Sequence, residues 1–254
     1  MDLWTAIVLG IVEGITEFLP ISSTGHLVLV SKLIGIKTTD FLKSFEIIIQ
    51  LGAILSVFAL YWKSFFLNRE ILKRILSAFV PTGIIGFIFY TTVKTMLGSE
   101  QVVIWALLLG GIFLIVFELF HREKEDAYQE LDELPYDKVF LIGLFQSFAM
   151  IPGVSRSAAT IVAGLMLGLK RKTIVEFSFL LAVPTMMTAT GMDLIKNIHA
   201  FSIDQMGLLT VGFFTSFLVA MASIKFFLHF IQKNNFIPFG IYRIGLVLII
   251  LGWN

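Results

Sequence analysis

"EGITEFLPISSTGH", residues 13–26, lies in an apolar stretch yet carries Glu13, Glu17, Ser22, Ser23, Thr24 and His26. How this segment is read decides the fold. Glu13 and Glu17 are four residues apart and share one face of a helix. Pro20 disfavours helix at Leu19, so a helix ends near there. Ser22, Ser23 and Thr24 then suit the N-cap of a new, short helix. The segment therefore predicts an interrupted helix. In a membrane, such a break is tolerated only where the irregular backbone is buried in protein or lines a wet cavity.

The surroundings are those of a membrane protein. Of 254 residues, 57% are hydrophobic, 15% are charged and 26 are Phe; mean hydropathy is +0.91. Several apolar runs approach the roughly 20 residues that span a bilayer, and the composition excludes an ordinary soluble domain. Cysteine is absent, which excludes disulfides, thiolate nucleophiles and Cys-ligated metals. A net charge of +1 points away from a nucleic-acid partner. Asp2, Glu13 and Glu17 set the first residues apart from a cleavable signal peptide.

Hydropathy places full spans at 44–62, 75–93, 102–120, 173–195, 206–226 and 236–253. The longest hydrophilic stretch is "HREKEDAYQELDELPYDK", 121–138. After it, 139–169 is again apolar but broken, by Pro152-Gly153 and a second polar cluster. A shift of 133 residues lays "GIVEGITEFLPISSTGH" on "GLFQSFAMIPGVSRSAA". Glu13 falls on Gln146, Ser22 on Ser155, Ser23 on Arg156, Thr24 on Ser157, Gly35 on Gly168 and Lys37 on Lys170. The expected architecture is all-α and polytopic: six transmembrane helices plus two broken re-entrant helical hairpins. Residues 1–254 then form one integral membrane domain, with repeats of about 1–120 and 139–254 joined by loop 121–138.

Charge orients it. If each broken segment enters and leaves on one side, the loops 63–74, 121–138, 170–172 and 225–233 share a side and carry twelve Lys and Arg residues. The opposite side carries five: Lys32, Lys37, Lys43, Lys94 and Lys196. The first set is expected in the cytoplasm. Three spans per half is an odd number, so the halves are inverted, and the His26 segment dips in from outside.

The polar residues point to phosphate chemistry. A helix N-terminus offers unpaired N–H groups and a positive dipole end, which suits phosphate. Ser155, Arg156 and Ser157 cap the second short helix. An Arg within a membrane segment costs about 2.5–3.5 kcal/mol to insert, and its fork matches phosphate oxygens. Pairing with Glu13 or Glu17 is its structural alternative. His26 can give or take a proton near neutrality, as nucleophile or base. Glu17, helped by Glu13, can hold a divalent cation or act as acid or base. His121, His199 and His229 sit at loop edges, where a structural role is expected. The hydroxyls, Thr160 included, also have a plain alternative as helix caps or carbonyl partners. Carboxylates, hydroxyls, imidazole and guanidinium together are the parts for phosphoryl transfer.

At these residues the chain resembles a known family. "EGITEFLPISSTGH" and "PGVSRSAAT" are similar to the two signature segments of the bacterial undecaprenyl-diphosphatase, or bacitracin-resistance, family. "FEIIIQLGAIL" and "FSFLLAVPTM" extend the likeness over essentially the whole chain. Ala158 departs from the family's usual glycine. The resemblance implies hydrolysis of undecaprenyl diphosphate to the monophosphate and inorganic phosphate. That recycles the lipid carrier of peptidoglycan synthesis and gives bacitracin resistance. The family's important positions fall here on Glu13, Glu17, Ser22, Ser23, Thr24, His26, Ser155, Arg156, Ser157 and Thr160, and the resemblance implies dependence on Mg2+ or Ca2+. With the chemistry above, Glu17, Ser23, His26 and Arg156 are the candidate catalytic groups, Ser22, Thr24, Ser155, Arg156, Ser157 and Thr160 the candidate phosphate contacts, and Glu17 and Glu13 the candidate metal ligands. The expected setting is the bacterial plasma membrane, with the site open to the outer face. Nucleophilic attack by His26, Ser23 or water stays open. Small residues such as Gly110-Gly111 would suit a homodimer. The rival reading is a secondary transporter, since inverted repeats with broken helices are common there.

Overall fold

The computed structural model describes residues 1–37, 39–96, 99–196 and 205–253; His199 lies outside them. Eleven α-helices follow one another among these residues. They are α1 (Leu3–Thr16), α2 (Ser23–Leu33), α3 (Asp40–Phe66), α4 (Arg69–Ile88), α5 (Tyr90–Met96) and α6 (Glu100–Phe120), then α7 (Tyr136–Gln146), α8 (Arg156–Met166), α9 (Arg171–Lys196), α10 (Met206–Ile231) and α11 (Ile237–Trp253). Many starts carry the expected cap. Asp2 accepts from the Thr5 N–H, Thr39 from Leu42, and Asn68 from both Glu70 and Ile71. Each satisfies N–H groups that the first helical turn leaves orphaned.

Among the described residues, five helices are long and apolar enough to cross a bilayer: α3, α4, α6, α9 and α10. The expected sixth span, α11, has 17 residues and is shorter than these. The expected span 75–93 is displaced: α4 starts at Arg69 and ends at Ile88. The Asn68 cap starts it early, on a polar turn that hydropathy alone reads as loop.

Both interrupted segments appear. α1 stops at Thr16, three residues before the Leu19 expected from Pro20, and α2 begins at Ser23. α7 stops at Gln146, a 3₁₀ turn covers Ser147–Met150, and α8 begins at Arg156. Ser22 and Ser155 cap α2 and α8 with φ of 70° and 77°. They are the two non-glycine residues with positive φ among those described. Gly35 and Gly168, φ 73° and 87°, end the same two helices, using the left-handed conformation glycine adopts freely. In each pair the partners are 133 residues apart.

Packing crosses between the halves. α1 lies against α10, and α7 lies against α4. Both crossings use matched glycines. A Cβ on Gly10 would come within 2.9 Å of the Gly212 carbonyl oxygen, and one on Gly143 within 1.8 Å of that of Ala78. One apolar cluster takes Phe18, Ile21 and Ile54 from the first half, and Ile161, Phe177 and Phe227 from the second.

α6 acts as a ruler. Its 21 residues span about 31 Å. At its start, Glu100 pairs with Lys32 at the end of α2, 2.8 Å apart. At its other end, Glu118 takes both terminal nitrogens of Arg171, just beyond α8. The outer ends of α2 and α8 thus sit at opposite ends of α6. Loop 121–138 is tied down here as well. Tyr128 exchanges backbone hydrogen bonds with Gly168 and Lys170, each 3.0 Å, and Lys138 donates to the Leu167 carbonyl at 2.8 Å.

The glycine pair offered for a homodimer is used within the chain. A Cβ on Gly110 would meet Arg243 Nη2 at 2.3 Å, and one on Gly111 would meet the Gly240 carbonyl oxygen at 2.9 Å. Gly110-Gly111 admits α11 to α6 and is not a free surface. His121 ends α6 and stacks on Phe117, with ring centroids 4.8 Å apart.

Candidate active site

The two breaks meet. Glu17 is the C-cap of α1, and Arg156 is the first residue of α8. Arg156 Nη2 donates to Glu17 Oε1 at 3.2 Å. The other Glu17 oxygen accepts from Ser23 Oγ, in the first turn of α2. Ser157 Oγ donates to the Phe18 carbonyl at 2.9 Å, and the Arg156 guanidinium lies 5.8 Å from the Phe18 ring centroid. Residues more than 130 apart in the chain are thereby joined through side chains.

These groups are buried. Glu17 and Arg156 side chains are 5% and 11% exposed, so their ion pair is screened far less than a surface pair. Arg156 Nη1 donates to the Ser178 carbonyl at 2.7 Å and to Ser178 Oγ at 3.3 Å. Its Nε–H is buried with no protein partner. Glu13 is fully buried beside the Glu17 carboxylate, and neither of its oxygens accepts from a backbone N–H, a hydroxyl or a cationic side chain. A buried polar group left so costs about 1–3 kcal/mol, more when charged. Such groups in a native fold ask for a ligand or an ion. Among the described residues no three His, Asp or Glu side chains gather around one point. Two carboxylates alone fit Mg2+, which is commonly held by one or two of them plus substrate phosphate oxygens.

The other expected site residues divide. Ser22 and Ser155 lie at the same place in the two tips. Each caps its helix, accepting from Gly25 N–H at 3.4 Å and Ala158 N–H at 3.2 Å. Ala158 is helical there, so the family's glycine is not needed for backbone freedom. Thr160 Oγ1 donates to the Arg156 carbonyl at 2.6 Å, one turn along α8. Thr24 follows Ser23 and is half-buried.

His26 does not reach Ser23. Its Nδ1 lies 2.7 Å from the Ser22 carbonyl oxygen, and its Nε2 lies 2.8 Å from the Tyr242 hydroxyl. A carbonyl only accepts, so Nδ1 carries a proton and donates. In the neutral ring, Nε2 then accepts from the Tyr242 O–H. The two rings stack with centroids 5.5 Å apart and planes within 2°.

Reading the sequence overlooked three residues here: Ser178, Tyr242 and Arg243. Arg243 is fully buried. It donates to the carbonyls of Leu107, Val154, Ala106 and Gly153 at 3.2, 3.1, 2.9 and 2.8 Å. A signal for it existed, since an arginine within an apolar span requires partners. Ser178 and Tyr242 gave none, for a lone hydroxyl in a span usually bonds a neighbouring carbonyl.

Known proteins resemble this chain over nearly its whole length. The family model "Bacitracin resistance protein BacA" matches residues 6–249. A protein of Wolinella succinogenes is 53% identical over 251 residues, covering 99% of this chain and 98% of that one. One of Sulfurihydrogenibium sp. is 54% identical over 248 residues, 98% of each. One of Aquifex aeolicus is 53% identical over 250 residues, 97% of each. All three are named undecaprenyl-diphosphatase. With a match this long at both levels, and with both signature segments brought to one point, the chain belongs to the BacA bacitracin-resistance family.

Proposed function

We propose that this chain is an undecaprenyl-diphosphatase of the bacterial plasma membrane. It hydrolyses undecaprenyl diphosphate to the monophosphate and inorganic phosphate, returning the lipid carrier to peptidoglycan synthesis and giving bacitracin resistance. The observation that carries the chemistry is the chain Ser23–Glu17–Arg156 across the two breaks. It holds a hydroxyl, a carboxylate that accepts its proton, and a cation for phosphoryl oxygens.

The prenyl tail lies among apolar helices, and the diphosphate enters between the tips of α2 and α8. Arg156 and the first N–H groups of α8 bind the terminal phosphoryl group. Charge on its oxygens is stabilised by donors already in place. Ser23 Oγ attacks the terminal phosphorus as its proton passes to Glu17. The bridging P–O bond breaks, and the lipid monophosphate leaves with the proton that Glu17 passes to its departing oxygen. Water then attacks the phosphoserine phosphorus as its proton passes to the freed Glu17 carboxylate, the Ser23 Oγ–P bond breaks, Glu17 returns the proton to Ser23 Oγ, and inorganic phosphate departs. Ser23 is favoured over His26 as nucleophile because both His26 nitrogens are engaged elsewhere. A Mg2+ or Ca2+ ion held by Glu13 and Glu17 would neutralise phosphate charge. The Glu13 oxygens, without an N–H, hydroxyl or cationic donor, support that assignment.

The six-span inverted repeat is part of this proposal. Its support is the 133-residue recurrence of caps and positive-φ residues, and the outer ends of α2 and α8 lying at opposite ends of α6. With the Lys- and Arg-rich loops inside, the α2 side of the site opens to the outer face.

The test is phosphate release by the purified protein in detergent, with polyprenyl diphosphate as substrate. There are no compartments there, so a pure transporter releases none. Phosphate released by the unaltered protein, lost with Arg156→Ala and lost with chelator, is the expected result. Full release by Arg156→Ala overturns the site.

A further inference from the structure

We propose that the adjacent pair Tyr242-Arg243, on α11, is a positioning device that holds both interrupted tips in register. α11 belongs to neither tip. From one point on it, Tyr242 reaches His26 in α2, while Arg243 reaches the carbonyls of Gly153 and Val154, which lead into α8. The same guanidinium is anchored on Ala106 and Leu107 of α6. It therefore ties the loop before Arg156 to two long helices. Four carbonyls and no carboxylate surround Arg243 among the described residues. Gly110 leaves the space its Nη2 occupies.

On the other side, the Tyr242 hydroxyl and the Ser22 carbonyl hold the His26 ring from both ends. Ser22 is the cap residue immediately before Ser23. Fixing the ring against Ser22 fixes the start of α2, and with it the direction in which Ser23 Oγ points. Tyr242 is 46% exposed, yet its hydroxyl reaches the buried His26. Neither Tyr242 nor Arg243 touches the Ser23–Glu17–Arg156 chain; they act through the segments that carry it. The inference rests on the site assigned above.

The experiment uses the full-length protein in detergent, with kcat and KM for polyprenyl diphosphate and a thermal unfolding midpoint for each variant. Tyr242→Phe keeps the ring and removes one O–H. It is expected to lower kcat about tenfold with KM within about twofold, roughly the worth of one positioning hydrogen bond. In a His26→Ala background the same change is expected to cost nothing more, as groups acting through one another are non-additive. Arg243→Lys keeps the charge but not the four-carbonyl grip, and is expected to lower kcat at least as far.

Wild-type kcat in Tyr242→Phe overturns the proposal. So does a change confined to KM, which would make Tyr242 a substrate contact. An equal further loss in the His26→Ala background overturns it too. If His26→Ala alone keeps full rate, the role given to His26 fails, and the Tyr242 half of the device with it. The Arg243 half is then judged by Arg243→Lys alone, where an unchanged kcat ends it. Should Arg243→Lys fail to fold, Tyr242→Phe still decides.

Discussion

Glu17 does two jobs at once, and its substitutions separate them. It accepts from Ser23 and pairs with Arg156. Glu17→Gln keeps the shape but removes both the base and the charge. It is expected to lower kcat by at least about a hundredfold, the range of general-base loss. Thermal stability is also expected to fall, since breaking a buried pair by removing one partner costs about 3–5 kcal/mol. Ser23→Ala is milder for the fold, because Glu17 keeps Arg156. Its expected signature is lost phosphate release with retained binding of the lipid, read by equilibrium binding. Retained release in Ser23→Ala would transfer the nucleophile's role to water. That Glu17, Ser23 and Arg156 belong together was legible in the sequence, because polar groups in an apolar stretch stand out and helix caps have a fixed chemistry. What was not legible is which partner each group takes. His26 lies three residues from Ser23 and looked like its base, yet its ring turns to Tyr242, 216 residues away. Proximity in sequence could not reveal that, because a lone tyrosine hydroxyl in the α11 segment does not announce a partner so distant in the chain.

The helices explain why the breaks lie where they do. Two serines at positive φ start α2 and α8, and two glycines at positive φ end them. Ser155→Val is expected to be harmful on two grounds, loss of the cap and a β-branched residue at positive φ. Ser155→Gly keeps the conformation and loses only the cap bond, so its thermal midpoint should lie well above that of Ser155→Val. Equal midpoints would mean that φ is not what serine is tolerating there. The crossing of α7 on α4 sets a second condition. Gly143→Ala places a methyl within 1.8 Å of the Ala78 carbonyl oxygen, which forces the helices apart. The expected outcome is a midpoint several degrees lower, by analogy with overpacked cores that lose about 1–3 kcal/mol. Gly10 and Gly143 were aligned by the sequence repeat, but nothing in that alignment said that each glycine admits a helix of the other half. The long apolar helices α3, α4, α6, α9 and α10 were visible because hydropathy needs only local composition. The early start of α4 was not, because its first turn is polar and the Asn68 cap decides it.

At the scale of the molecule, the arrangement makes a prediction about sidedness. The chain contains no cysteine, so single cysteines report cleanly. A cysteine in place of Glu125, in the tethered loop, should react with an impermeant thiol reagent only in opened cells. One in place of Lys37, beyond the end of α2, should react in intact cells. The reverse pattern would turn the proposed orientation over. The same layout divides labour between the halves. The first tip supplies carboxylates and the hydroxyl; the second supplies the guanidinium, and at the position matching Glu13 it carries Gln146, which donates to Thr82 and Thr185 at 3.0 and 3.1 Å. On the proposed site, acid–base chemistry falls to the first tip and the anion grip to the second.

The bond between Arg156 and Glu17 spans 139 positions of the chain, and this has a consequence for biogenesis. On the proposed site, the first half alone brings a serine and two carboxylates but not the guanidinium, which comes with α8. Hydrolysis is therefore expected only after the second half has been inserted and has docked on the first, so that lipid carrier passing the translocation site meets no half-made hydrolase.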